Sequence, residues 1–526
     1  MQRRLSSFLT PDLAARAGVA RSANPDADPE IHGLAYDSRK VEPGFAYFAL
    51  PGLHLDGHSF IDSAIDRGAV AVIHQAPVDS PRPGIAYLRA ADSRFAMSPF
   101  SDAFWGSPSK DLAVIGVTGT EGKSTTVFLV YQLLDLAGRK AGFVSTVQFR
   151  TGADELWNPE HQTTPEAPTV HAALAAMRDY GMEYAVVESS SHGLSPRTNR
   201  LGDVAFDVGI MTNVTHEHLE FHGTWEQYRQ DKANLFRKLD QHDHAKRLGG
   251  VPAAVPAFGV VNADDPSAAY FAAAHRGKTF SFSVSGAEAD LSVRALRPGA
   301  DGNSYDVFVR ESGKTIEIKD NLPGAFNAGN VLAAVLTVSG LLGVSAESLV
   351  PLVPRLRPVR GRMSVVDRGQ DFEVLVDYAH TPSSFETVFP PLRRRLSRTG
   401  GRIISLFGSG GERDREKRPR QGRIAADYSD IVILSDEDPR GEDPMELLEE
   451  IAAGCPEKSR GEELLLIPDR PTAIRKAFSL ARPGDLVLLL GKGHENSIIY
   501  KERTIPFDEI GEAEKALAEM GYGAHK

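Results

Sequence analysis

The chain of 526 residues contains a single cysteine, Cys455, which excludes an intramolecular disulfide and a cysteine-based zinc cluster. It has no run near the roughly 18 apolar residues of a membrane span. Behind Met1-Gln2-Arg3-Arg4-Leu5 there is no apolar core of signal-peptide length. These absences set the expectation of a cytoplasmic protein with no membrane association. Basic charge is also in short supply: the net charge is −11 and the pI about 5.8, against the basic face of a nucleic-acid binder. Anionic small molecules remain possible partners, because they need only local cations. Arg393-Arg394-Arg395 reads as a solvated helix face, whereas Arg413 to Arg423 lies beside glycines and is the better site candidate. Repeats and low-complexity tracts are missing too. What remains is an ordinary globular composition, 41% hydrophobic, long enough for roughly three to four domains of about 150 residues, expected as a monomer.

The most informative segment runs from Ala113 to Thr126. An apolar run, Ala113 to Val117, enters the turn Thr118-Gly119-Thr120-Glu121-Gly122, then Lys123-Ser124-Thr125-Thr126 and the amphipathic stretch from Val127 to Leu134. Strand, glycine loop and helix in that order form a phosphate-binding loop. Backbone N–H groups at the helix start face phosphate oxygens, the lysine reaches the terminal phosphates and the serine hydroxyl holds Mg²⁺. Val117 stands where the strict G-x-x-x-x-G-K-[ST] spacing has its first glycine. The competing reading is a glycine-rich strand-to-helix turn, which leaves Lys-Ser at the helix start unexplained. ATP and Mg²⁺ are the expected ligands.

Around this loop the chain reads as α/β. Residues 1–111 form a small α/β unit with strands at Ala46–Leu50 and Ala69–Ile73. A second unit, 112–355, alternates helical patterns with strands at Tyr184–Glu188, Asp207–Met211 and Ala257–Val261, as a mostly parallel sheet requires. Gly249 to Pro256 reads as a surface loop and Arg355 to Arg362 as a linker. In a third unit, 356–526, Ile403 to Gly411, Ile431 to Arg440 and Leu486 to Glu495 are strands ending in polar loops. Ligands in open α/β sheets bind beyond such carboxyl ends, so three of them point to one pocket. The fold class expected is therefore three domains: a central P-loop parallel-sheet ATPase domain, a Rossmann-like C-terminal domain and a small α/β N-terminal domain.

The second unit also carries Glu188-Ser189-Ser190-Ser191-His192, Asn213-Val214-Thr215-His216-Glu217-His218, Phe221-His222-Gly223-Thr224 and Lys232. A carboxylate and an imidazole at strand ends near a phosphate loop suit a Mg²⁺ shell; singly, each is an ordinary surface residue. Together with "YDSRKVEPGFAYFALPGLHLDGHSF", "TTPEAP", "KANLF", "GRMSVV", "VDYAHTP", "GSGGERDREKRP", "DEDPRGEDP" and "GKGHE", these segments resemble the Mur ligase family, which makes the amide bonds of the peptidoglycan stem peptide. The likeness spans some 460 residues in order and is greatest to members that add the third residue.

That resemblance implies an ATP-dependent acid–amino-acid ligase that joins a diamino acid to UDP-N-acetylmuramoyl-L-alanyl-D-glutamate through an acyl phosphate. It implies catalytic roles for Lys123, Lys232 and His218, with Lys232 carbamylated. ATP contacts fall to Gly119, Thr120, Glu121, Gly122, Lys123, Ser124, Thr125, Asn330, Arg362 and Asp377. The metal ligands are Ser124, Glu188, His218 and Lys232. Ser38, Thr163, Thr164, Ser191 and Arg200 hold the UDP-muramoyl dipeptide; Arg413, Glu437, Asp438, Pro439, Arg440, Gly491 and Glu495 take the amino acid. Departures from the family pattern are Ser189 for valine, Glu217 for aspartate, and two extra residues between His192 and Arg200. A fourth is Asp438 for asparagine in the motif whose arginine, here Arg440, grips the distal carboxylate of meso-diaminopimelate. Asp438 and Glu495 favour a distal ammonium, as in ornithine or lysine; pairing of Asp438 with Arg440 is the alternative. Two other functions stay open: a related ligase, another Mur ligase or a folylpolyglutamate synthetase, and a P-loop nucleotide switch without amide chemistry.

Overall fold

The computed structural model describes residues 2–523 apart from 53–54, 159, 161, 216–218 and 300–301. The chain divides into two compact units, one of residues 1–298, 303–320 and 325–356, the other of 299–302, 321–324 and 357–526.

The first unit contains two main sheets. Its N-terminal part is a five-stranded sheet of β1 (Val19–Ala23), β2 (Gly33–Ala35), β3 (Phe45–Phe48), β4 (Ala71–His74) and β5 (Ala86–Ala90), in the order β1-β5-β4-β3-β2. The second is an eleven-stranded sheet. Its parallel heart is β6 (Ala113–Thr118), β7 (Ala141–Val144), β8 (Tyr184–Glu188), β9 (Val208–Met211), β10 (Phe258–Asn262) and β11 (Lys278–Ser283), ordered β7-β8-β6-β9-β10-β11. Every residue of β6 and β8 is buried. Strands covered on both faces need this continuous apolar run in place of alternation. Three further strands, Leu291–Pro298, Asn303–Val309 and Lys314–Asp320, antiparallel to one another, extend one edge, the first pairing parallel with β11.

The second unit has a parallel sheet of β12 (Glu373–Asp377), β13 (Ile403–Phe407), β14 (Ile431–Leu434), β15 (Leu464–Leu466) and β16 (Leu486–Leu490), ordered β12-β16-β13-β14-β15. One short antiparallel strand, Ser364–Val365, pairs with β12. Apolar clusters pack on both faces.

Two expectations need correction. Gly249 to Pro256 is no irregular loop: Ala245–Leu248 and Val251–Ala254 pair antiparallel across Gly249 and Gly250, whose φ values are +56° and +85°. Two consecutive glycines at positive φ form the tight two-residue turn that matches strand twist. Arg393 and Arg395 do more than face water, pairing with Asp430 (2.8 Å) and Glu373 (2.5 Å); Arg394 is exposed.

A buried ion pair fixes one end of the second sheet. Arg470 and Glu509 are both fully buried and meet through two 2.8 Å hydrogen bonds, while Arg470 also donates to the carbonyls of Leu490 and Asp436. Removing one partner strands a buried charge, at a cost of about 3–5 kcal/mol. Glu509→Ala is therefore expected to destabilise this unit by about that amount. Calorimetric unfolding checks it, and a loss below about 1 kcal/mol would mean that the pair contributes no more than a surface bridge.

Among the described residues no single helix is long and apolar enough to cross a membrane.

Candidate active site

The phosphate loop leaves the buried strand β6 and enters α1 (Lys123–Leu136). Its glycines are required by geometry. Gly119 has φ +152°, and a Cβ there would lie 1.9 Å from Thr212 Oγ1. Gly122 has φ +80°, and a Cβ there would lie 2.7 Å from Asn330 Oδ1. The loop is held from several sides. Glu121 N–H donates to Asn213 Oδ1 (2.9 Å), Thr212 Oγ1 to the Glu121 carbonyl (2.6 Å) and Thr215 N–H to Thr120 Oγ1 (2.9 Å). Two lysines donate to loop carbonyls: Lys123 Nζ to Thr120 O at 2.7 Å and Lys232 Nζ to Gly119 O at 2.5 Å. Thr125 lies in the first turn of α1. Asn330, on α3 (Asn327–Leu342 after α2, Trp225–Lys238), sits beneath the loop; it accepts from Thr126 Oγ1 and donates to Asn327.

Ser124 and Glu188 come together from different elements. Ser124 Oγ donates to Glu188 Oε1 at 3.0 Å, Thr146 N–H donates to Oε2 at 2.8 Å, and both side chains are buried. A hydroxyl and a carboxylate side by side at the start of a helix are hard oxygen donors, the set that Mg²⁺ prefers. His216, Glu217 and His218 lie outside the described residues.

The expected dipeptide-binding residues gather near the end of β8. Thr164 Oγ1 donates to the Glu188 carbonyl (2.8 Å) and accepts from Ser190 N–H (2.9 Å). Thr163 is half-buried beside it. Arg200 donates to the Thr164 carbonyl at 2.7 Å and pairs with Glu166, which also pairs with Arg94. The two extra residues before Arg200 thus still bring it to Thr164. Ser191 Oγ lies 3.0 Å from His222 Nε2. Ser38 begins a short 3₁₀ turn. The Tyr36 and Asp37 just before it line a cavity of about 300 Å³ with Lys40, Glu160, Pro168 and Thr169. Burial first, then Glu160, raises the Tyr36 hydroxyl pKa.

In the second unit, Asp377 ends β12 and accepts from Ala379 N–H and Met363 N–H, both at 2.7 Å; burial pushes its pKa up, with Arg362 opposing. Arg362 lies over the Tyr378 ring, 4.6 Å from its centroid. Beyond β14 and β16 the motif from Glu437 to Arg440 meets Gly491 to Glu495. A Cβ at Gly491 (φ +96°) would stand 2.5 Å from Glu437 Oε2, and a Cβ at Gly411 would meet the Pro439 carbonyl at 1.9 Å. Arg413 is exposed at the neighbouring turn.

Lys492 is the residue that sequence reasoning missed. It is fully buried, donates to Asp438 Oδ1 at 2.9 Å and contacts Glu495, while Tyr378 OH donates to Glu495 at 3.3 Å. Burial alone would lower the Lys492 pKa; Glu495 and Asp438 outweigh it and raise the value. Both readings of Asp438 are thereby corrected: its charge is met by Lys492, neither bare nor paired with Arg440. Glu437 is also buried, its Oε2 without a hydrogen-bond partner; burial raises its pKa, with Lys417 and then Lys492 opposing. Arg440, at φ +54°, has a buried Nε in the same condition. A lysine between glycines, followed three residues on by an acid, was the available signal for this pairing.

Comparisons with known proteins match three stretches of the chain. Residues 30–94 match the Mur ligase family catalytic domain, 117–338 the Mur ligase middle domain, and 361–493 the Mur ligase glutamate ligase domain. A UDP-N-acetylmuramyl-tripeptide synthetase of Treponema denticola is 52% identical, over 93% of this chain and 94% of that one. Its counterpart in Treponema pallidum is 49% identical, with 93% and 94% covered. Among solved structures, a UDP-N-acetylmuramoyl-L-alanyl-D-glutamate–2,6-diaminopimelate ligase superposes with a TM-score of 0.57. It is 27% identical and covers 94% of this chain and 96% of that one.

Proposed function

The chain belongs to the Mur ligase family, and from that membership we propose that it adds the third amino acid, a diamino acid, to UDP-N-acetylmuramoyl-L-alanyl-D-glutamate in the cytoplasm. Residues 1–111 take the uridine nucleotide, 112–355 take ATP and 356–526 take the amino acid. The observation that carries the reading is the glycine loop between β6 and α1, with Lys123 at its end and the Ser124–Glu188 pair beside it.

A carboxylate does not condense with an amine unaided, because oxide is a hopeless leaving group. The dipeptide's terminal carboxylate attacks the γ-phosphorus of ATP, the bond to ADP breaks and an acyl phosphate forms. The neutral amine of the incoming amino acid attacks the acyl carbon, its proton passes to solvent or a base, and orthophosphate leaves. The first step calls for positioning and charge neutralisation. Lys123 and the N–H groups opening α1 supply both to the phosphates. Ser124, Glu188 and a carbamylated Lys232 would hold Mg²⁺, which neutralises phosphate charge when bound. Thr164, Ser191 and Arg200 hold the dipeptide near Glu188.

Orthophosphate release should require the UDP-muramoyl dipeptide and the amino acid together. Slow ATP hydrolysis indifferent to both would instead indicate a nucleotide switch.

For the third residue we propose ornithine or lysine. Glu437, a buried acid with an oxygen to spare, suits an ammonium. The Arg440 guanidinium favours the second reading, meso-diaminopimelate, by offering a carboxylate its two parallel donors. An unmatched charged hydrogen bond costs about 1.5–3 kcal/mol, so kcat/KM for the preferred class should lead by about tenfold or more. A lead of that size for meso-diaminopimelate would hand the pocket to Arg440.

A further inference from the structure

One buried group in the first unit has no role in the reaction described above. His222 ends the short helix Leu219–His222 and is 5% exposed. Its Nδ1 lies 2.8 Å from Asp231 Oδ2 and its Nε2 lies 3.0 Å from Ser191 Oγ. The other Asp231 oxygen accepts from Gln227 Nε2 at 2.8 Å, and Asp231 is itself buried. An ionised carboxylate only accepts. The proton between Asp231 and His222 therefore sits on Nδ1, and Nε2 shares a hydrogen bond with the Ser191 hydroxyl. Ser191, His222, Asp231 and Gln227 form one satisfied chain.

That chain joins two segments with separate tasks. Ser191 lies three residues after Glu188, on the turn leaving β8. Asp231 lies on α2 next to Lys232, whose Nζ donates to Gly119 of the phosphate loop. The aromatic packing follows the same path. The His222 ring meets Tyr228 edge-on at 5.2 Å, Lys232 Nζ lies 4.4 Å from the Tyr228 ring centre, and Tyr228 OH lies 3.1 Å from Thr120 Oγ1. Moving His222 would shift α2 against the strand that ends in Glu188.

We propose that His222 is a positioning residue of the phosphate site, held by Asp231, which sets Lys232 and Glu188 at the separation that a divalent cation needs. The proposal deepens the ligase reading by adding a supporting residue to its cation site. Partners behind a metal's direct ligands orient those ligands, and losing one typically costs about 10- to 100-fold in metal affinity or activity.

The test uses the full chain with Mn²⁺ as the probe, its binding followed by electron paramagnetic resonance in the presence of a non-hydrolysable ATP analogue. His222→Ala should weaken Mn²⁺ binding about tenfold or more. Asp231→Asn retains one acceptor oxygen for two donors and should move it the same way by less. Circular dichroism and the thermal midpoint report whether each variant is folded. In turnover, His222→Ala should raise the Mg²⁺ concentration for half-maximal rate about tenfold or more, in step with the Mn²⁺ affinity. Unchanged Mn²⁺ affinity in folded His222→Ala overturns the proposal. So does a loss in folded Asp231→Asn greater than in His222→Ala, because Asp231 would then act without the imidazole. If His222→Ala does not fold, Asp231→Asn decides: unchanged Mn²⁺ affinity overturns the proposal. Wild-type protein that binds Mn²⁺ but releases no orthophosphate with all substrates present would reject the ligase reading and leave this measurement standing.

Discussion

Lys123→Ala is expected to lower kcat by about 10²–10³-fold or more while the protein stays folded, since a charge-stabilising donor at a transferring group is worth about that much. The lysine is half-buried at the N-terminus of α1, and its ammonium donates to the Thr120 carbonyl of its own loop. No core packing depends on it, so the thermal midpoint should hardly move. On the proposed reading the ammonium would transfer from that carbonyl to the terminal phosphates, where negative charge accumulates as the acyl phosphate forms. Lys123→Arg keeps the charge but spreads it over a planar fork, and should restore only part of the rate. The measurement is orthophosphate release under saturating substrates, beside a melting curve. Near wild-type turnover in folded Lys123→Ala would remove the phosphate-loop assignment.

Lys232→Ala should be nearly inactive, and small carboxylic acids such as acetate or formate should return part of the activity. Lys232 is buried on α2 with its Nζ against Gly119 O and Tyr228. A buried ammonium would conflict with the proposed cation site; reaction of the neutral amine with CO₂, forming an N–C bond and losing a proton, would turn it into a carboxylate-like group. That group would share a divalent cation with Ser124 and Glu188. A free carboxylate entering the vacated space supplies the same oxygens, which an alanine variant damaged in its fold could not use. A carbamate carbon signal from protein equilibrated with ¹³CO₂, absent in Lys232→Ala, is the direct check. Full activity in the alanine variant would discard the modification.

Much of this was legible in the chain because local physics leaves marks on it. The continuous apolar run of β6, followed by glycines and Lys-Ser, specifies a buried parallel strand, a tight turn and a helix start, and the structure has those elements there. Tyr184–Glu188 is a strand with the bounds read from its apolar run. The Gly249-Gly250 hairpin was missed, because its two four-residue strands are too short to show a clear alternation.

Other features have no local signature, because they depend on residues far apart in sequence arriving at one point. Asp438 and Lys492 are 54 positions apart, and only the parallel placement of β14 and β16, with β13 between them, brings their ends together. A charge read as free from sequence is thereby cancelled. Ser191 and His222 are 31 apart, and only the packing of α2 on the turn after β8 makes a chain of hydrogen bonds from residues that individually look like ordinary polar surface. The sequence by itself determined the fold class and the strand, glycine turn and helix start of the loop, since these rest on periodicity and turn stereochemistry. The tertiary structure alone decided which charges are paired, since ion pairing in a buried site follows distance and desolvation, and neither can be read along the chain.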